Sequence, residues 1–173
     1  MVAITIMAIM VGVAAPQLDR FLQSQRITSA HNQLLTSLRG ARSEAVKRSQ
    51  PIIVCNGSAA NGCKSNNAWQ KGWYVATVPQ SENGCRDQDG NGQCDSHGGT
   101  VLRRHEGFPD GLSLSANGIR LPRSVRFNPL GRAEGYAGTI SICPTSDADV
   151  QGSGIVINVS GRMRRAEPGD LNC

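Results

Sequence analysis

The chain has 173 residues and a formal net charge of +5, enough for one globular domain with a real core plus an appendage. Aromatic residues make up only 4% while glycine occurs 20 times, which argues against a helical bundle and for a loop-rich β domain. The charge is uneven: Glu82, Asp87, Asp89 and Asp95 face only Arg86 in residues 81–100, whereas residues 101–132 hold six arginines.

The first predicted element is a long helix. Met1 to Pro16 reads "MVAITIMAIMVGVAAP", apolar and uncharged, with Asp19 and Arg20 the first charges. The run is slightly shorter than the roughly 20 residues that cross a bilayer core. No basic stretch precedes it and no small-x-small cleavage site follows, so a cleaved secretory signal fits poorly. Beyond it Ile27, Leu34, Leu35, Leu38, Ala41 and Ala45 recur at three- and four-residue steps, with Arg39, Arg42, Glu44, Lys47 and Arg48 between them. The pattern stops at Pro51, which disfavours helix at the residue before it. Pro16 is expected to kink the helix. His31 is expected on its outer face.

From Pro51 the period changes to two. "IIVC", "WYVATV", "TVLRRH", "LSLS", "VRFN", "TISIC" and "IVINVS" are short runs rich in β-branched residues, separated by Gly, Asn and Pro. Consecutive strands at this spacing favour antiparallel sheets, and the second half of the helix can cover an apolar sheet face. The predicted class is α+β: a long N-terminal helix, apolar then amphipathic, packed on antiparallel sheets. Residues 1–26 form its apolar half and 27–173 the globular domain.

The six cysteines fall as Cys55/Cys63, Cys85/Cys94 and Cys143/Cys173. No spacing is C-x-x-C, so disulfides in an oxidising compartment are expected rather than a zinc site. Six cysteines allow fifteen connectivities; the pairing expected is the one just written. Between the second pair, "DQDGNG" sets Asp87, Asp89 and Asn91 at positions 1, 3 and 5 of a calcium-type loop, with Asp95 at position 9. Gly98 stands where the bidentate glutamate belongs, so a polar hairpin tip without metal is expected.

Catalytic chemistry has little to stand on. His31, His97 and His105 are scattered, no G-x-S-x-G elbow or phosphate-binding glycine motif occurs, and six paired cysteines leave no thiol nucleophile. No cofactor and no enzymatic activity are expected. The arginines are more suggestive. Every basic residue after Lys71, histidine aside, is arginine, whose planar fork suits phosphate. "VRFNPLGRA" places Arg126 and Arg132 around an Asn-Pro-x-Gly turn, and "SGRMRR" places Arg162, Arg164 and Arg165 after Gly161.

The order of these motifs resembles a known family. "MVAITIMAIMVGVAAP", the amphipathic helix ending at "KRSQPIIVC", then "WQKGWYVATV", "VRFNPLGRAEGYAGTISIC" and "GIVINVSGRMRR" are together similar to the GspH/FimT family of type IV minor pilins and type II secretion pseudopilins. The resemblance covers nearly the whole chain. It implies a single-pass inner-membrane subunit with a periplasmic globular domain, whose helix packs with other major and minor pilins in a fibre. It also implies a leader, cleavage glycine and early glutamate upstream of Met1. FimT-type DNA receptors carry G-R-x-R near the C-terminus, which corresponds here to Gly161–Arg164. The resemblance therefore implies double-stranded DNA as a partner, bound through the backbone by Arg162, Arg164 and Arg165 for uptake in natural transformation. Arg103, Arg104, Arg126 and Arg132 are expected to widen the patch. The alternative is a structural minor pilin or secretion pseudopilin that primes fibre assembly and contacts only protein.

Overall fold

The computed structural model describes residues 2–64, 67, 69–78, 84–95, 98–108, 111–118, 120–145 and 150–173, with side chains from residue 17 onward. A single helix, α1, spans Val2–Arg48 and is assigned without a break through position 16. Eight strands follow: β1 Ile52–Asn56, β2 Gly72–Thr77, β3 Val101–Glu106, β4 Leu112–Asn117, β5 Ser124–Phe127, β6 Gly138–Pro144, β7 Ser153–Ile157 and β8 Met163–Arg165. They form two antiparallel sheets of four, ordered β3-β2-β1-β5 and β4-β6-β7-β8. The fold is the predicted α+β arrangement.

The periodic face of α1 is buried as its spacing requires. Ile27, Ala30, Leu34, Leu38, Ala41 and Ala45 meet Ile52, Val54, Val125 and Phe127 from the first sheet and Ile140, Ile142, Ile155 and Ile157 from the second. Small residues at 30, 41 and 45 let the helix backbone lie close to both sheets. Leu34 and Leu38 fill the seam with no exposed surface, and truncating such a side chain to alanine typically costs about 2–5 kcal/mol.

β1 and β2 depart from simple alternation because both faces of the first sheet are covered. On the face away from α1, Ile53, Cys55, Ala59, Tyr74, Ala76, Val78 and Cys85 make a second, smaller core. Two disulfides, Cys55–Cys63 and Cys85–Cys94, tie loops over it. The Tyr74 hydroxyl donates to the Cys85 carbonyl at 2.6 Å, and burial pushes its phenol pKa up. The third disulfide, Cys143–Cys173, fastens the C-terminus to β6. Among the described residues no cysteine is free.

The acidic loop is held by contacts with its own chain, although the buried Asp87 Oδ1 has no hydrogen-bond partner among the described residues. Asp87 is buried, accepts from the Gly92 amide at 3.1 Å and pairs with Arg104. Asp95 accepts from the Gln88 amide at 2.9 Å, and Asp89 accepts from the Asn91 amide and side chain. Among the described residues no group of three or more His, Cys, Asp or Glu side chains is arranged to hold a metal.

Candidate functional site

The C-terminal arginines sit on a hairpin whose geometry follows from its turn. Asn158 to Gly161 reverses the chain after β7: the Gly161 amide donates to the Asn158 carbonyl at 2.8 Å, and the Asn158 amide donates to the Arg162 carbonyl at 3.0 Å. Gly161 has φ +75, which glycine adopts without strain. The returning segment is short but fully registered, with Met163 opposite Ile157, Arg164 opposite Val156 and Arg165 opposite Ile155. Strand alternation then sorts the side chains. Met163 and Arg165 face α1, and Met163 packs against the main core. Arg164 lies on the opposite face.

Each arginine has a different environment. Arg162 is exposed, and among the described residues its guanidinium has no hydrogen-bond or ion-pair partner. Arg164 donates to Asp170 at 2.9 Å and to the Arg165 carbonyl at 3.1 Å, so it is held by the C-terminal tail. A backbone hydrogen bond from Glu167, with Arg164 itself, keeps the Asp170 carboxyl below its usual range. Arg165 is exposed and lies near His31.

His31 departs from the expected outer position. It is buried in the seam between helix and sheet, its Nδ1 3.0 Å from the Ser153 hydroxyl. Burial, reinforced by Arg165 and Arg39, holds its pKa below the ordinary value. The spacing could have revealed this, since 27, 31, 34 and 38 are successive positions of the same helical stripe. His105 stacks on Trp73 with centroids 3.9 Å apart, and its Nε2 lies 2.6 Å from Gln33 Oε1. His97 lies outside the described residues.

The remaining arginines divide into two groups. Arg126 is on β5, and Arg132 follows the turn after it; both line a cavity of about 230 Å3 together with Arg120, which was not among the sequence candidates. Arg103 and Arg104 lie on β3, the opposite edge of the same sheet. They therefore do not form one local patch with Arg126 and Arg132, and Arg104 is engaged by Asp87. By its spacing Arg42 belongs to the charged face of α1. It is a structural clamp: its Nε donates to the Gly131 carbonyl at 2.9 Å and its terminal nitrogen reaches the Ser160 carbonyl at 3.5 Å.

A long helix with an amphipathic C-terminal half laid across antiparallel sheets, closed by disulfides and with no assembled catalytic group among the described residues, defines a pilin-like subunit. The family model described as "Type II transport protein GspH" matches residues 30–161, and the chain belongs to that family of minor pilins and pseudopilins. These are structural proteins that assemble with other pilins, not enzymes. The fold is similar to the type IV minor pilin FimU of Pseudomonas aeruginosa, at 22% identity over 86% of this chain and 94% of that one, with TM-score 0.59. A second crystal form of FimU matches with TM-score 0.55, at 22% identity over 82% of this chain and 94% of that one. The minor pseudopilin EpsH of the Vibrio cholerae type II secretion system is also similar, at 14% identity over 87% of this chain and 99% of that one, with TM-score 0.51. At these identities the likeness is one of fold. No curated protein matches the sequence.

Family membership implies anchorage in the inner membrane before assembly. Among the described residues no helix is long and apolar enough to cross a membrane. The anchor expected in Met1–Ala15 falls on side chains outside those described.

Proposed function

We propose that this protein is a type IV pilus minor pilin that binds duplex DNA non-specifically through its C-terminal arginines, for DNA uptake in natural transformation. The observation that carries the reading is the exposed guanidinium of Arg162, without a partner among the described residues and set at the end of a hydrogen-bonded hairpin beside Arg164. Two residues apart on extended backbone, they are separated by roughly 6.6 Å, close to the step between phosphates along one strand. Asp170 orients Arg164 and also competes for it. Arg165 faces the helix side and would meet a second phosphate there. Among the described residues nothing nearby is built to read base edges or stack bases, so binding is independent of sequence and sensitive to salt.

Titration of duplex DNA with the full chain in detergent tests this. Three phosphate contacts give a log–log salt slope of about −2.7 and micromolar or weaker affinity. Arg162→Gln with Arg164→Gln should flatten the slope and weaken binding. Parental affinity at low salt in that double variant would favour the structural reading, a subunit that primes fibre assembly through protein contacts alone. The pairing of Arg164 with Asp170 is the observation on that side.

The reading also divides α1. Residues 1–26 serve as the membrane and fibre-core half, consistent with the exposed Leu18, Phe21 and Leu22, and residues 27–173 are the globular domain. Deleting residues 1–26 should leave a soluble, folded monomer, because the deletion stops just before Ile27, the first core residue of the helix. Size-exclusion chromatography and circular dichroism check it; aggregation or unfolding would show that the division is misplaced.

A further inference from the structure

Two segments far apart in sequence are built alike. "NPLGR" at 128–132 and "NVSGR" at 158–162 share the pattern Asn-x-x-Gly-Arg. In both, the glycine amide donates to the asparagine carbonyl at 2.8 Å, and the asparagine amide donates to the arginine carbonyl at 2.9 and 3.0 Å respectively. Gly131 has φ +73 and Gly161 φ +75. One turn follows β5 in the first sheet and the other joins β7 to β8 in the second, yet they touch. The Ala133 amide donates to the Val159 carbonyl at 2.9 Å, and Arg42 reaches a carbonyl of each turn. Arg132 and Arg162 therefore stand at equivalent positions on one rigid body.

The cavity behind the first turn is lined by Arg120, Arg126 and Arg132, with Asn128, Glu134 and Tyr136 among its walls. Among the described residues its lining sets Arg126 and Arg132 beside one carboxylate, Glu134, so the opening is positive. Arg120 lies 5.7 Å from the Tyr136 ring centroid, a cation–π placement that orients it. Arg132 is half exposed and pairs with Glu134 at 3.1 Å, a contact a stronger anion can displace. Several planar forks around one small opening suit a tetrahedral phosphate.

Building on the DNA-binding reading above, we propose that this cavity is a second phosphate seat, so that a duplex engaging Arg162 lays a further phosphodiester over Arg126 and Arg132. Glu134 restrains the seat by competing for Arg132.

The test compares the full chain in detergent with Arg126→Gln/Arg132→Gln, Glu134→Gln and Arg162→Gln/Arg164→Gln, measuring affinity for random-sequence duplex DNA from 50 to 200 mM salt. One lost phosphate should reduce the slope of the first double variant by about 0.9, with affinity about 2- to 5-fold lower for each lost exposed contact. Glu134→Gln should bind more tightly than the parent, an effect in the opposite direction from simple damage to the fold. A parental slope in Arg126→Gln/Arg132→Gln overturns the inference, as does a Glu134→Gln variant that fails to tighten. Loss in Arg162→Gln/Arg164→Gln alone leaves the C-terminal reading standing without the cavity, and loss in Arg126→Gln/Arg132→Gln alone does the reverse. If both double variants bind as the parent does, DNA contact fails on both surfaces.

Discussion

Replacing Cys143 and Cys173 together by serine is expected to lower stability by about 3–4 kcal/mol, the chain-entropy value for a loop of this size. The bridge closes a sequence separation of 30 residues and holds the last eight residues across the outer face of the second sheet. Other contacts follow from that placement. The Ala166 amide donates to the Gly154 carbonyl at 2.9 Å, and the Asn172 amide to the Ser141 hydroxyl at 3.0 Å. Leu171 packs over Gly152 and Gly154, where a Cβ would collide with the tail. These are too few and too exposed to hold a chain end against its entropy by themselves. Freed of the bridge, the tail should detach, removing Asp170 from Arg164. Urea unfolding of the double variant beside the parent measures the loss. An unchanged midpoint would mean that Leu171 and Asn172 anchor the tail without the bridge.

The helix and the strands were legible because each leaves a local signature. Ile27, Leu34, Leu35, Leu38, Ala41 and Ala45 announce a buried face by spacing alone; all are buried except Leu35, which is partly buried at its margin. The runs from "IIVC" to "IVINVS" mark seven of the eight strands. β8 escaped because three residues, two of them arginine, carry no apolar alternation; its strand character comes from pairing with β7. Pairing order was equally hidden. β1 is flanked by β2 and by β5, and no local pattern states that Val54 faces Val125. That order decides the arrangement of charge: it sends Arg103 and Arg104 to one edge and Arg126 to the other. His31 was misread because a polar residue in an apolar stripe looks like surface until a partner is known, and Ser153 lies 122 positions away. Arg42 was missed for the same reason, its acceptors Gly131 and Ser160 lying on two different sheets' turns.

Gly161→Ala should be the most damaging single change in the G-R-x-R segment, although it removes no charge. Two costs combine. A residue with Cβ at φ +75 bears the left-handed penalty of about 1–2 kcal/mol. The added Cβ would also overlap the Gly131 carbonyl and stand 3.1 Å from Arg42 Nε. Relieving the overlap moves the two turns apart and breaks the Arg42 bond to Gly131 together with the Ala133–Val159 bond, each worth about 1 kcal/mol. The expected total is on the order of 3 kcal/mol, which for a chain of this length lowers the midpoint of thermal unfolding by about 6–12 °C. Gly135→Ala is the proper comparison: it too has positive φ, at +76, but its Cβ would meet nothing within 4 Å. That variant should show the backbone penalty alone. If Gly161→Ala costs no more than Gly135→Ala in parallel melts, the two turns do not press on each other. If it costs more, this glycine is required by the packing of one turn against the next, and the arginines that follow it owe their fixed position to that contact.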